Sequence, residues 1–302
     1  MYKRKMGVKL LNTFLKVKCP KVIQEKHWEF LSGKKIVVDI NNYMYKFLSE
    51  DNLEGGFIRM CDMFLYYKII PLFVFDGKPP KLKKKEIRKR AYEREETKKL
   101  YEEKKHCLCR KKEIELKRKM VTISVKDIEN IKNLLHAYGM KYIKAPNESD
   151  ELCCMLVNCG KVYACLSEDM DMFVYGCKRI LRKYCNCNYI NFYEINTILN
   201  HMKITMKDFR YLTLVSNIKE NIFKLYNFYN YKYDNFINNV NNKYLNTEEE
   251  KKIVELENYY DLEKSDVLSK CNYILIKLYN YYKNYINSLR RKMSPELHFY
   301  PT

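Results

Sequence analysis

No run of about eighteen apolar residues occurs anywhere in the 302-residue chain. The best candidate, Met63 to Phe75, is broken by Lys68 and Pro71, which excludes a helical membrane span. The opening MYKRKMGVKLL is basic and lacks the apolar core and small-residue cleavage site of a secretion signal. Among 12 cysteines there is no C-x-x-C pair. Cys107/Cys109, Cys153/Cys154 and Cys185/Cys187 are spaced wrongly for a zinc finger, and no histidine completes one. The thiols are therefore expected to be reduced, intracellular and mostly core filler, with a zinc site between Cys107/Cys109 and Cys185/Cys187 as the alternative. Glycine is scarce, at 8 residues, and absent after Gly176. Acids are outnumbered too: 37 Asp+Glu stand against 57 Lys+Arg, a formal charge of +20.

What is present suits a folded nucleic-acid partner. Hydrophobic residues make up 47%, enough for a sizeable core and too many for wholesale disorder. The charge surplus points to a polyanion, nucleic acid before an anionic membrane face. It is also concentrated: residues 78–120 hold 19 Lys/Arg and 8 Asp/Glu. There the sparse apolar residues Ile87, Leu100, Leu108, Ile114 and Leu116 cannot cover a core face. The segment reads as one or two solvent-exposed helices standing off the body.

Three short apolar runs read as buried strands: Lys35 to Ile40, Pro71 to Asp76 and Lys161 to Leu166. Helical spacing lies between them in Met60 to Lys68, Val125 to Tyr138 and Glu148 to Asn158, with Gly139 where a helix should end. Strands alternating with helices imply a parallel, doubly wound α/β sheet. Past Cys185 the chain becomes rich in tyrosine and asparagine. Helices are expected over Phe192–Met202, Phe209–Leu214 and Val267–Leu289, and loops in stretches such as Asn235–Asn246. The expected organisation is a core at 1–184, with the exposed helices at about 80–120, and a helical region at 185–302.

Two of the strands end in aspartate, at Asp39 and Asp76, and the third runs into Ser167-Glu-Asp-Met-Asp171. Glu148 and Asp150 stand at a helix start. Ligands of open α/β sheets bind beyond the carboxyl ends of the strands, so Asp39, Asp76, Glu148, Asp150, Asp169 and Asp171 should converge on one rim. So many acids need compensating cations, and oxygen ligands select Mg²⁺ or Mn²⁺. Two such ions are a known device for phosphodiester hydrolysis.

Five blocks carry a family resemblance. Met6-Gly-Val-Lys-Leu-Leu, Val37-Val-Asp-Ile-Asn-Asn-Tyr-Met-Tyr45, Val74-Phe-Asp-Gly-Lys-Pro-Pro80, Tyr142-Ile-Lys-Ala-Pro-Asn-Glu-Ser-Asp150 and Gly160-Lys-Val-Tyr-Ala-Cys-Leu-Ser-Glu-Asp-Met-Asp171 resemble the signature blocks of the flap endonucleases. These belong to the structure-specific 5′ nuclease superfamily that includes the XPG nucleases. The resemblance implies a PIN-like 5′ nuclease fold: a central, mostly parallel sheet flanked by helices, a protruding basic helical arch and a helical C-terminal region. It implies a two-metal site at Asp39, Asp76, Glu148, Asp150, Asp169 and Asp171, with Asp150 replacing the usual Glu. It also implies base stacking on Tyr45, phosphate steering by Lys83 and Arg90 at the foot of the arch, and DNA contacts from Arg118 and Lys119 on its far limb.

The resemblance is incomplete. The family's seventh carboxylate is missing from Phe209 to Asn221, where only Glu220 is near, and the glycine-rich hairpin that grips duplex DNA has no counterpart. Five residues precede Met6, leaving the start at Met1 or Met6 open. No sliding-clamp box precedes Phe299-Tyr300. The expectation is a monomeric, intracellular, Mg²⁺-dependent 5′ flap endonuclease and 5′–3′ exonuclease. It would act on branched DNA with a 5′ flap or single-strand/duplex junction in replication and repair, in a nucleus or at a cytoplasmic viral replication site. A catalytically weakened DNA-binding relative and a 5′–3′ exoribonuclease on the same fold are the rival readings.

Overall fold

The computed structural model describes residues 10–262, apart from 81–82, 105, 108–109, 186, 219–220, 232–236, 238–239 and 242–244. The expectations for Met1 to Lys5, Glu220 and Val267–Leu289 lie outside the described residues. Among the described residues seven strands form one sheet in the order β1-β7-β6-β5-β2-β3-β4. They are β1 (Gln24–His27), β2 (Lys35–Asp39), β3 (Ile70–Phe75), β4 (Lys141–Lys144), β5 (Ala164–Leu166), β6 (Arg179–Arg182) and β7 (Tyr189–Glu194). From β6 to β4 every neighbouring pair is parallel; β7 runs antiparallel to both β6 and β1. The three apolar runs read as buried strands are β2, β3 and β5.

Alternation along the strands sends side chains to two cores. Ile36 and Val38 of β2, with Phe73 and Phe75 of β3, pack under α2 (Ile40–Ser49), α3 (Leu53–Tyr66) and α6 (Val125–Ala137). Val37, Leu72 and Val74 point the other way. They pack with α1 (Leu11–Lys18), α7 (Ser149–Asn158), α8 (Asp171–Val174), α9 (Ile195–Met202), α10 (Met206–Ile218), α11 (Ile222–Tyr231) and α12 (Thr247–Tyr260). Phe73 is fully buried with its ring 6.1 Å from Phe64 and 6.5 Å from Phe57. Full burial of such a side chain is worth about 1.5–3 kcal/mol.

Helix boundaries follow local chemistry. A capping box of Ser124 and Asp127 starts α6, and Gly139, at φ +70, follows its C-terminus. Edge strand β4 exposes Lys141 and Lys144, charges that discourage edge-to-edge pairing. The second core runs from Leu11 to Tyr260, so the helices after the sheet share it with the strands.

One segment differs from expectation. Phe192 to Glu194 are strand rather than helix, because β7 is drawn into the sheet between β1 and β6. The helix begins only at Ile195. Cys185 and Cys187 lie close together in the turn between β6 and β7. Cys61 and Cys165 behave as core filler: burial pushes their thiols up to about 12 and about 11.

Candidate active site at the carboxyl rim of the sheet

Strand register brings the acids together. Asp39 ends β2 and pairs with Val74, so Asp76 lies just beyond the end of the neighbouring β3. On the other side Val38 pairs with Leu166, after which the chain runs through Ser167 to Asp171. Glu148 and Asp150 arrive from β4, whose loop is pinned to the end of β3: Gly77 N–H donates to Asn147 O at 2.6 Å and Ala145 N–H to Phe75 O at 2.9 Å.

Shared partners link these carboxylates. The Ser149 hydroxyl lies 2.9 Å from Asp39 Oδ1 and 2.7 Å from Asp76 Oδ1, and the Ser149 backbone N–H donates to Asp76 Oδ1 at 2.8 Å. Ser167 Oγ donates to Asp39 Oδ2 at 2.9 Å and accepts from Asp169 N–H at 3.1 Å. Asp171 N–H donates to Asp169 Oδ1 at 3.1 Å. Asn41 and Asn42 donate to Asp76 and Asp39 respectively. Asp39, Asp150, Asp169 and Asp171 are buried, while Asp76 is exposed.

Acids at helix starts often serve only as caps. These do not. Asp39 and Glu148 occupy the N-cap positions of α2 and α7, yet neither side chain makes a capping hydrogen bond. Glu148 turns to Lys83, whose ammonium lies 2.5 Å from its Oε2. Burial opposes the charge on Lys83, but Glu148, Tyr259, Asp171 and Asp150 outweigh it and hold the group well above the usual lysine range. Asp171 is raised to about 7, first by burial and then by Asp169. Glu168 is different: it accepts from Tyr184 N–H at 2.9 Å and from the Tyr43 hydroxyl at 3.4 Å. Its role is to hold the loop.

Among the described residues, no three of His, Cys, Asp or Glu are disposed to hold a metal ion as they stand. Ser, Asn, Lys and Tyr donors engage Asp39, Asp76, Glu148 Oε2 and Asp171 Oδ2. The donor set nevertheless fits a hard divalent ion. It is all oxygen, it is crowded enough to raise Asp171, and Asp171 Oδ1 is buried with no hydrogen-bond partner among the described residues.

Beside this rim rises the basic segment. Helices α4 (Lys84–Lys104) and α5 (Arg110–Met120) pack on each other, with the Tyr101 hydroxyl donating to Glu113 at 3.3 Å. Leu116 is the buried hydrophobic residue of this pair among the described residues. Arg90 is half-buried on α4, and Tyr45 half-buried on α2. Lys119 pairs with Glu115 one turn earlier at 2.7 Å; Arg118 lies on α5 with its side chain outside the described residues. The structure thus brings Lys83 to the acids, and places Arg118 and Lys119 on the second limb.

Sequence reasoning missed the residues that hold the carboxylates. Ser149 and Ser167 sit inside the acidic blocks, and Asn41 and Asn42 follow Asp39 by two and three positions, so a signal was there. Tyr259 and Tyr260 were not marked by any motif. Tyr260 donates to Asp171 Oδ2 at 3.0 Å and Tyr259 to Glu148 Oε2.

A mostly parallel sheet with acids at its carboxyl rim and a basic helical pair beside it is the architecture of the PIN-like 5′ nuclease fold. Residues 6–97 match the XPG N-terminal domain and residues 139–217 the XPG I-region. Flap endonuclease 1 of Vanderwaltozyma polyspora is 32% identical over 225 residues, 68% of this chain and 59% of the relative. The chain spans about three fifths of the length of such curated relatives. The catalytic core of Rad2 in complex with DNA substrate aligns with a TM-score of 0.56 at 25% identity, covering 83% of this chain and 78% of that one. Flap endonuclease-1 from Methanococcus jannaschii shares the fold, with a TM-score of 0.57 at 21% identity over 92% and 99% of the two chains. The chain belongs to the XPG family.

Proposed function

We propose that the protein is a divalent-metal-dependent, structure-specific 5′ nuclease that hydrolyses a phosphodiester of branched DNA near a single-strand/duplex junction. The observation that carries this reading is the meeting of Asp39, Asp76, Asp169 and Asp171 with the Glu148–Lys83 pair at one rim, next to the basic arch. Asp39, Asp76, Glu148, Asp150, Asp169 and Asp171 would hold the ions, Mg²⁺ with Mn²⁺ substituting. When bound, these supply an activated water and a Lewis acid for the leaving oxygen.

The remaining work falls to the chain itself. Ser149, Ser167, Asn41 and Asn42 fix the carboxylate rotamers before DNA arrives. Lys83, charged and largely shielded from water, offers a cation where phosphate charge develops. Arg90, about two turns further on along α4, extends that cationic side. The α4–α5 pair forms a basic wall for a single-stranded 5′ end, and Tyr45 a surface for the terminal base pair. Water adds to phosphorus as the P–O3′ bond breaks, leaving a 5′-phosphate and a 3′-hydroxyl. The curated relatives come from cellular organisms, and DNA replication and repair inside the nucleus is the proposed setting.

The test is cleavage of a substrate panel: 5′-flap, gapped flap, nick, single strand and 5′-monophosphate RNA, in Mg²⁺, Mn²⁺ or EDTA, with product ends mapped. Flap cleavage near the junction, dependent on the metal and abolished by EDTA, is expected. Preference for RNA would favour the exoribonuclease reading. The α10 stretch Phe209 to Ile218 contains no carboxylate, and metal-independent binding without turnover would favour a weakened DNA-binding relative. Lys83→Met is expected to lower kcat by about 10²–10³-fold with little change in KM. An unchanged kcat would remove Lys83 from the chemistry.

A further inference from the structure

Helix α12 is the last element described, and it ends in the acidic rim. A capping box of Asn246 and Glu249 sets its start, Ile253 is buried, and it packs along α10. Its final turn carries Tyr259 and Tyr260. The two rings lie 5.0 Å apart, and Tyr175 of the rim packs on both, 6.0 Å from Tyr259 and 4.7 Å from Tyr260. This three-ring cluster leaves the phenols little freedom. Each hydroxyl ends on a carboxylate: Tyr260 on Asp171 Oδ2 at 3.0 Å, Tyr259 on Glu148 Oε2, which also receives Lys83.

We propose that Tyr259 and Tyr260 are positioning residues of the nuclease centre, holding Glu148 and Asp171 in the rotamers that present their other oxygens to the divalent ions. This rests on the reading of the rim given above. Asp171 shows the logic most clearly. Tyr260 occupies Oδ2, while Oδ1 is buried with no hydrogen-bond partner among the described residues. A buried oxygen left in that state is destabilising unless a cation takes it up. The Tyr260 hydroxyl is a donor that adds no negative charge beside Asp171. The carboxylates of a metal centre are commonly held by such outer hydrogen bonds. Here the donors come from a helix far along the chain: Tyr260 is 89 residues beyond Asp171, and Tyr259 is 111 beyond Glu148.

Tyr260→Phe and Tyr259→Phe remove one hydroxyl each and keep the rings. Mn²⁺ binding to the DNA-free protein, followed by the loss of the free-ion paramagnetic resonance signal, is expected to weaken by about 10–100-fold in each. Tyr211→Phe is the control, since its hydroxyl bonds Asn241 rather than the rim, and it should bind Mn²⁺ like wild type. In flap cleavage, Tyr260→Phe should lose kcat at low Mg²⁺, recover toward wild type as Mg²⁺ is raised, and keep its KM for DNA. Wild-type Mn²⁺ affinity in both Phe variants would overturn the proposal. A wild-type protein that binds Mn²⁺ but cuts no substrate would refute the nuclease reading, and the Mn²⁺ titrations would still judge the tyrosines. A wild-type protein that binds no Mn²⁺ would sink both.

Discussion

Asp171→Asn protein is expected to cut a 5′-flap at least about 10³-fold more slowly than wild type, the size of several kcal/mol of lost charge stabilisation. The same variant is expected to melt at a higher temperature in metal-free buffer at about pH 8. Asp171 sits in the folded state with its carboxyl raised to about 7 from an ordinary 3.8. Between those values the folded chain binds the proton that the unfolded chain has released. Ionised Asp171 therefore opposes folding as pH rises, with the full penalty present above pH 7 and lost on acidification toward pH 4. The amide has the same shape, still accepts from Tyr260, and carries no charge beside Asp169. A stabilisation on the order of a few kcal/mol at high pH is expected, shrinking as pH falls. Mg²⁺ should raise the melting temperature of wild type far more than that of the variant. Melting curves from pH 5 to 9, with EDTA or Mg²⁺, measure all of this. A variant that cleaves normally would dismiss Asp171 from the site.

Gly77→Ala is expected to be the most damaging of the Gly→Ala changes among the described residues. A Cβ at residue 77 would lie 2.0 Å from Ala145 O and 2.6 Å from both Pro146 O and Asn147 O. These are backbone atoms of the loop that carries Glu148 and Asp150, and they cannot swing away as a side chain could. The loop must move off the end of β3, separating Glu148 and Asp150 from Asp76. Overpacking of this kind costs about 1–3 kcal/mol. A displacement near 1 Å at a reacting centre costs about 10²-fold in rate, so turnover should fall more than stability predicts. Gly33→Ala is the comparison: its φ of +71 brings backbone strain, but nothing lies within 4 Å of the added carbon. It should lose about 1 kcal/mol and keep its turnover. Denaturant titration beside flap kinetics separates the two, and normal kcat in Gly77→Ala would show that the loop tolerates the shift.

Where the sequence was legible, the physics was local. Buried parallel strands need continuous apolar runs, and Ile36-Val-Val, Leu72-Phe-Val and Ala164-Cys-Leu supply them, each leading into the polar residues of the rim. Gly139 marked the end of α6 because few other residues accept its φ. Strand β4 was invisible, because Lys-Tyr-Ile-Lys exposes three of its four residues and has no run to read. Strand β7 was mistaken because Phe192, Ile195, Ile198, Leu199 and Met202 fit a helical period; its pairing with β1 and β6 is a long-range fact that overrides the local pattern. The acids announced themselves by type and position. Their holders did not: Ser149 looks like any helix-start serine, and Tyr259 and Tyr260 lie in a tyrosine-rich stretch that offers no contrast.

The remoteness of α12 also sets an order of events during synthesis. A ribosome extrudes Asp171 and must add 89 further residues before Tyr260 follows, roughly 5–20 s at ordinary elongation rates. Through that interval a nascent chain carries the acids of the rim but neither of the phenols that bond them. On the function proposed above, the centre would be completed only once Tyr259 and Tyr260 have emerged and folded onto the rim.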